Sequence, residues 1–141
     1  MVATPPDRTR VSSGGPWEDA VGYSRAVRVG DLVVVAGTTA AAEGGGAVGG
    51  DDPAAQTREA LRRVAVALEQ LGASLADVVR TRIYVTDISR WAEVGRVHGE
   101  VFGDVRPATT MVEVSRLIDP ALLVEIEVDA VVAEPRPGAG T

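Results

Sequence analysis

Near the C-terminus, in Leu123–Val132, the residues Val124, Ile126, Val128, Ala130 and Val132 interleave with Glu125, Glu127 and Asp129. A period of two puts the apolar set on one face of a β-strand and the acids on the other. Val78–Val85 is built the same way, with Val79, Thr81, Ile83 and Val85 on one face and Arg80, Arg82 and Tyr84 on the other. A sheet made of such strands takes helices on one face only, because a helix layer over the second face would bury charges of both signs.

The other segments supply those helices and complete the sheet. Ser24–Val29 and Leu32–Thr38 flank Gly30-Asp31 and read as a β-hairpin. Pro53–Leu71 reads as a helix capped by Asp52, with Pro53 at its first position and Gly72 placed to end it. Its apolar stripe is Ala60, Leu61, Val64, Ala65, Leu68 and Leu71. Ser89–Phe102 is a weaker helix, with Ser89 as cap and Trp91, Val94, Val97, His98 and Val101 on one side. Ala108–Ser115 is a further strand. The order is ββαβαββ, an α+β fold in which one mixed sheet carries two helices on one face. The length, 141 residues, suits one domain. Residues 1–16 read as a flexible arm, 17–133 as the domain and 134–141 as a disordered tail. Ala40–Gly50 holds five glycines and reads as a flexible loop.

The charged face carries Arg80, Arg82, Tyr84, Glu113, Glu125, Glu127 and Asp129. One reading is a solvated face with cross-strand ion pairs. The other is a face buried against further subunits, its acids and arginines paired across a symmetric interface. The interspersed Met111, Tyr84 and Leu123 favour the second.

Composition removes whole chemistries. There is no Cys, all 14 basic residues are Arg, and His98 is the sole histidine. That excludes Schiff-base lysines, thiolate nucleophiles, Fe–S clusters and Cys-type zinc sites. One His cannot build a multi-histidine metal site within one chain. Carboxylates, Arg, Tyr, hydroxyls and backbone groups remain. The net charge of −6 argues against a nucleic-acid or anionic-membrane binder. The N-terminal MVATPPDRTR has no signal-peptide apolar core, and no apolar run approaches the ~20 residues that span a bilayer. The expectation is a soluble, cytoplasmic protein.

Several stretches in order resemble the RidA (YjgF) family of reactive-intermediate enamine/imine deaminases. They are VGYSRAVRVGDLVVVAGT, AQTREALRRVAVALEQLGASLADVV, RTRIYVTDI, RPATTMVEVSRL and LVEIEVDAVV, and the likeness covers residues 20–133. The resemblance implies a chorismate-mutase-like fold and a homotrimer whose three sheets close a central barrel, with ligand clefts between subunits. It implies hydrolysis of 2-aminoacrylate-type enamines and imines to 2-keto acids and ammonia, with no metal and no cofactor. It puts a cleft-lining Tyr on Tyr23 and a water-positioning Glu on Glu125. The family's carboxylate-clamping Arg falls on Thr109, its cleft-facing Ser on Ala36, and a frequent helix Asn on Gly95.

Losing a bidentate guanidinium–carboxylate bond weakens any small-anion site. Either the substrate is not a small carboxylate, or Arg82 or Arg106 supplies the charge. Thr109, Met111, Tyr23 and Trp17 would line the cleft. Trp17 reads either as a cleft cover or as a lid on the sheet edge, and His98 as a core or interface histidine ahead of an acid–base group. Glu113 reads as a structural partner of Arg82 or Arg116. Hydrolytic deamination is the leading function. The alternatives are a non-catalytic small-molecule-binding or interaction trimer, and a pathway-specific hydrolase of an uncharged substrate. Nuclease activity finds no support in an acidic chain without a basic stripe.

Overall fold

The computed structural model of the chain describes residues 7–133. Its elements are β1 (Thr9–Val11), α1 (Pro16–Val21), β2 (Ala26–Val29), β3 (Leu32–Thr38), α2 (Pro53–Gln70), β4 (Val78–Val85), α3 (Trp91–Phe102), β5 (Ala108–Glu113) and β6 (Val124–Val131). They form one six-stranded sheet in the order β1-β2-β3-β6-β4-β5. Every neighbouring pair is antiparallel except β4–β5. Helices α2 and α3 pack on each other, and α2 lies against β3 and β6. The α+β fold with its mixed sheet is as expected.

The local reasons are those of the residues. Gly30 takes φ +59° in the two-residue turn between β2 and β3, a conformation that suits glycine. Asp52 caps α2, accepting from Ala54 N at 2.9 Å and Ala55 N at 3.4 Å. Between sheet and helices lie Leu61, Val64, Leu68, Ile83, Val97 and Phe102, all but withdrawn from solvent. Each such side chain stabilises the fold by about 1.5–3 kcal/mol.

Several expectations change. The arm expected over 1–16 contributes β1, which pairs with β2 in the register Thr9↔Arg28 to Val11↔Ala26, and it leads into α1. Residues 1–6 of that arm and the whole expected tail, 134–141, lie outside the described residues. Val79 does not join the buried face of β4, because the register slips by one between Val78↔Ala130 and Arg80↔Asp129. The bulge buries Val78 and leaves Val79 47% exposed. Ser89 does not cap α3. It donates to Asp87, which caps a 3₁₀ turn over Ile88–Arg90, and Trp91 begins α3 facing solvent.

The largest correction concerns β5. Its parallel register sets Thr109 beside Thr81, Met111 beside Ile83 and Glu113 beside Val85. Thr81, Ile83 and Val85 are buried towards the helices. Met111 therefore packs on the core, and Glu113 leaves the charged face. Instead of pairing with Arg82 or Arg116, Glu113 accepts from Ile88 N at 3.0 Å. The loop expected to be flexible, Ala40–Gly50, is pinned. Arg63 donates to Thr39 O and Ala41 O, both at 2.9 Å. The fully buried Gln56 amide donates to Gly50 O at 2.8 Å and Ala121 O at 2.9 Å, and accepts from Leu123 N at 2.9 Å.

The face without helices keeps Arg80, Arg82, Tyr84, Glu125, Glu127 and Asp129. Arg82 meets Asp129 at 3.2 Å, and the Tyr84 hydroxyl donates to Glu127. Leu32, Val34, Val112 and Val131 are exposed on the same face.

Candidate active site

Glu125 stands second in β6, opposite Tyr84. On its other side the β3–β6 register shifts between Val35↔Val128 and Thr38↔Ile126. This bulge at Ala36-Gly37 brings the backbone under the Glu125 carboxylate. A Cβ on Gly37 would lie within 2.9 Å of Glu125 Cδ, with the carboxylate oxygen closer still. A glycine inside a β-branched run marks such an approach. Thr38, nearly fully buried, donates to Ala36 O at 2.8 Å.

Arg25 braces the bulge. Its Nη1 donates to Gly37 O at 2.7 Å and Thr38 Oγ1 at 2.9 Å, and Ala36 N donates to Arg25 O at 3.0 Å. Its guanidinium carbon lies 5.7 Å from the centre of the Tyr23 ring, within cation–π range. Its Nε is buried and, among the described residues, has no hydrogen-bond partner. Burial pushes the Glu125 carboxyl above the usual range; the Arg25 charge opposes that rise and the Glu127 charge adds to it. A carboxyl whose proton affinity is raised in this way is better suited to exchange a proton than an ordinary surface carboxylate.

Tyr23 is positioned by α1. That helix ends on Gly22 at φ +87°, and Tyr23 N donates to Glu18 O at 3.0 Å. The Glu18 side chain is almost fully buried and accepts from Ser13 N and the Ser13 hydroxyl. Burial alone would raise its carboxyl, yet the Ser13 and Ser12 hydrogen bonds hold it below the usual range. Tyr23, Glu18, Ser12 and Arg10 border a shallow depression of about 420 Å³. Trp17, on α1, is 40% exposed.

The remaining residues sit elsewhere. Thr109 donates to Pro107 O at 3.2 Å and lies 2.8 Å from the Thr81 hydroxyl, which lies 2.9 Å from His98 Nε2. Arg106, at the entry to β5, takes φ +55° and is exposed. Among the described residues its side chain makes no ion pair or hydrogen bond. Arg82 is engaged with Asp129 on the helix-free face. Glu125 and Thr109 thus occupy opposite faces of the sheet: Glu125 alternates with buried Val124 and Ile126, whereas Thr109 neighbours buried Thr81. One copy of the chain does not bring Tyr23 and Glu125 together with Thr109, Met111 and Arg106.

Sequence reasoning missed Arg25, Gly37 and Thr81. Gly37 carried a signal, the lone glycine in LVVVAGT. Arg25 carried none, because its contacts depend on the bulge. Among the described residues no cluster of three or more His, Asp or Glu is placed to hold a metal ion.

A single mixed sheet with helices on one face defines a small chorismate-mutase-like α+β protein. The chain belongs to the endoribonuclease L-PSP family, whose profile matches residues 17–132; its relatives include RutC and YjgF proteins, the group that the sequence resembles. It is 43% identical over 121 residues to protein SCO2049 of Streptomyces coelicolor, covering 86% of this chain and 90% of that one. It is 34% identical over 104 residues to the 3-aminoacrylate deaminase RutC of Acinetobacter baylyi, covering 74% and 82%. The crystal structure of Rv2704, a YjgF/YER057c/UK114 family member from Mycobacterium tuberculosis, is similar with a TM-score of 0.82 and 67% identity, covering 89% of this chain and all of that one. Among the described residues no helix is long and apolar enough to cross a membrane.

Proposed function

We propose that the protein hydrolyses an imine or enamine in clefts between the copies of a homotrimer. The observation that carries this reading is Glu125: its carboxyl is half-buried over Gly37 and its pKa is raised. In the reaction, the Glu125 carboxylate takes a proton from water as the water oxygen bonds to the imine carbon. The resulting carboxylic acid returns that proton to the nitrogen to give the carbinolamine. The carboxylate then takes the carbinolamine O–H proton and passes it to the nitrogen as the C–N bond breaks, releasing ammonia and the carbonyl product. One group serves as base and then acid, which a raised pKa favours. Arg25 holds the bulge beneath it, and Tyr23 borders the site.

The homotrimer is supported by the opposed faces of Glu125 and Thr109 and by the helix-free face with its exposed Val34 and Val112. In such a cleft Glu125 and Tyr23 of one copy would meet Thr109, Met111 and Arg106 of the next, with Trp17 at the rim. Arg106 is the arginine of this set free to bind a carboxylate, since Arg82 is engaged with Asp129. The 3-aminoacrylate deaminase among its relatives agrees with this substrate class.

The test is to supply 2-aminoacrylate and other imines, generated enzymatically, and follow keto-acid release. Glu125→Gln should lower kcat about 10²–10⁴-fold while the oligomer, measured by light scattering, stays intact. Wild-type protein that accelerates none of these imines would remove the reading. One observation favours a second reading, a binding protein or a hydrolase of an uncharged substrate: Thr109 offers only a hydroxyl, already engaged by Thr81 and Pro107. A thermal-shift screen in which neutral metabolites stabilise the protein and carboxylates do not would support it.

A further inference from the structure

Three polar side chains are linked in series, from His98 on α3 through the buried Thr81 to Thr109 on the edge strand. His98 Nε2 lies 2.9 Å from Thr81 Oγ1, which lies 2.8 Å from Thr109 Oγ1. Thr81 is fully buried, His98 is half-buried with its ring tilted 4.7 Å from that of Phe102, and Thr109 is exposed on the edge strand. A hydroxyl both donates and accepts, so two in series can hand on a proton without moving a heavy atom. The chain ends at Pro107 O, 3.2 Å from Thr109 Oγ1. It therefore has two directions. In one, Thr109 donates to Pro107 O and His98 donates to Thr81. In the other, Thr109 donates to Thr81, Thr81 donates to His98, and the Thr109 oxygen faces solvent as an acceptor.

We infer that His98, Thr81 and Thr109 form a proton relay that makes the Thr109 hydroxyl a second proton-handling group, beside Glu125, in the proposed cleft. The inference rests on the imine-hydrolase reading for its substrate but not for the chain itself. In the conversion of an enamine to its imine, the substrate N–H gives its proton to Thr109 Oγ1 as the nitrogen pair forms the C=N bond. The C=C pair takes a proton at the β-carbon from the Glu125 carboxyl. The Thr109 proton passes to Thr81, and the Thr81 proton passes to His98 Nε2. The neutral Nδ1–H imidazole becomes imidazolium, both hydroxyls are restored, and no electrons change hands. Burial holds the imidazole below its usual pKa, favouring the neutral ring. Burial is the sole cause of that shift, and no charged side chain among the described residues contributes to it. Thr81 and His98 act through Thr109 and are positioning residues.

Because His98 is the sole histidine, ¹⁵N NMR of the labelled full-length chain reads its tautomer and titration without ambiguity. Thr109→Val, at an exposed position, should shift both, and Thr109→Ser should restore them. A Thr109→Val protein with the wild-type His98 spectrum overturns the relay, whatever the activity. In turnover, His98→Asn should lower kcat at least tenfold with little change in KM and remove one limb of the pH profile. Thr81→Ser should retain activity that Thr81→Val loses. His98→Asn with wild-type kcat and pH profile overturns the catalytic use. Wild-type protein inactive on every imine sinks the hydrolase reading and, with it, the catalytic use. The NMR comparison then judges the chain alone.

Discussion

Glu59 on α2 and Glu125 on β6 are both carboxylates beside arginines, yet their proton affinities move in opposite directions. Glu59 receives Arg62 Nε and Nη2 and Arg63 Nε, all at 2.7 Å. Arg62 is the largest influence, and despite burial the Glu59 pKa falls to about 2. Glu125 has Arg25 nearby, but that guanidinium is committed to Gly37 O and Thr38. Burial therefore prevails and the Glu125 carboxyl rises. A carboxylate with its own donors is structural. One denied them, at a glycine-floored bulge, is left able to exchange a proton.

Removing the brace should have the largest effect. Arg25→Ala frees the bulge from its guanidinium hydrogen bonds, and hydrogen bonds to charged groups contribute about 1.5–3 kcal/mol each. Urea unfolding should show a loss of about 2–3 kcal/mol, with turnover falling as well. Gly37→Ala comes next, since the new methyl pushes on the Glu125 carboxyl. Overpacking of this kind costs about 1–3 kcal/mol, and kcat should fall with the displaced carboxylate. A thermal melt unchanged from wild type would show that the bulge yields freely.

The two acids should also respond oppositely to pH. Glu59 has a folded pKa near 2 against an unfolded value near 4.5. Its stabilisation is complete above the unfolded value and disappears as pH falls from 4.5 towards 2. Denaturant midpoints across that window should drop in wild type and flatten in Glu59→Gln. Glu125 binds its proton more tightly folded than unfolded, so its contribution weakens as pH rises from about 4.5 through its raised folded value. Glu125→Gln should therefore raise the melting temperature slightly at pH 7 while lowering kcat about 10²–10⁴-fold. A lowered melting temperature would contradict the frustrated carboxylate. The smallest effect is expected at Arg82. Its pair with Asp129 is partly exposed, so Arg82→Ala should cost less than about 1 kcal/mol, read by the same urea unfolding.

Most of the fold was legible because its signals are local. The alternation in Val124–Val131, the Gly30-Asp31 turn and the Asp52 cap each depend on neighbours within a few residues. Strand β1 was not legible, because three residues carry no period and Thr9–Val11 is ordered by pairing with β2. The inward face of β5 is not legible in the sequence for a related reason. Its side-chain alternation is visible in Ala108–Glu113, but which face is inward follows from the parallel register against β4. Of the candidate site, Glu125, Tyr23 and the replacement of the family's arginine by Thr109 are legible only through the family resemblance.

By itself the sequence determined the layer count, the helix-free charged face, and a chemistry limited to carboxylates, arginines and hydroxyls with one imidazole. Those follow from residue type and short-range periodicity. Only the tertiary structure decided that Arg25 braces the Glu125 bulge, that Thr109 joins Thr81 and His98 rather than Glu125, and that Gln56 and Arg63 pin the glycine loop. Each of these depends on register shifts and hydrogen bonds between residues far apart in the chain, and no local pattern encodes them.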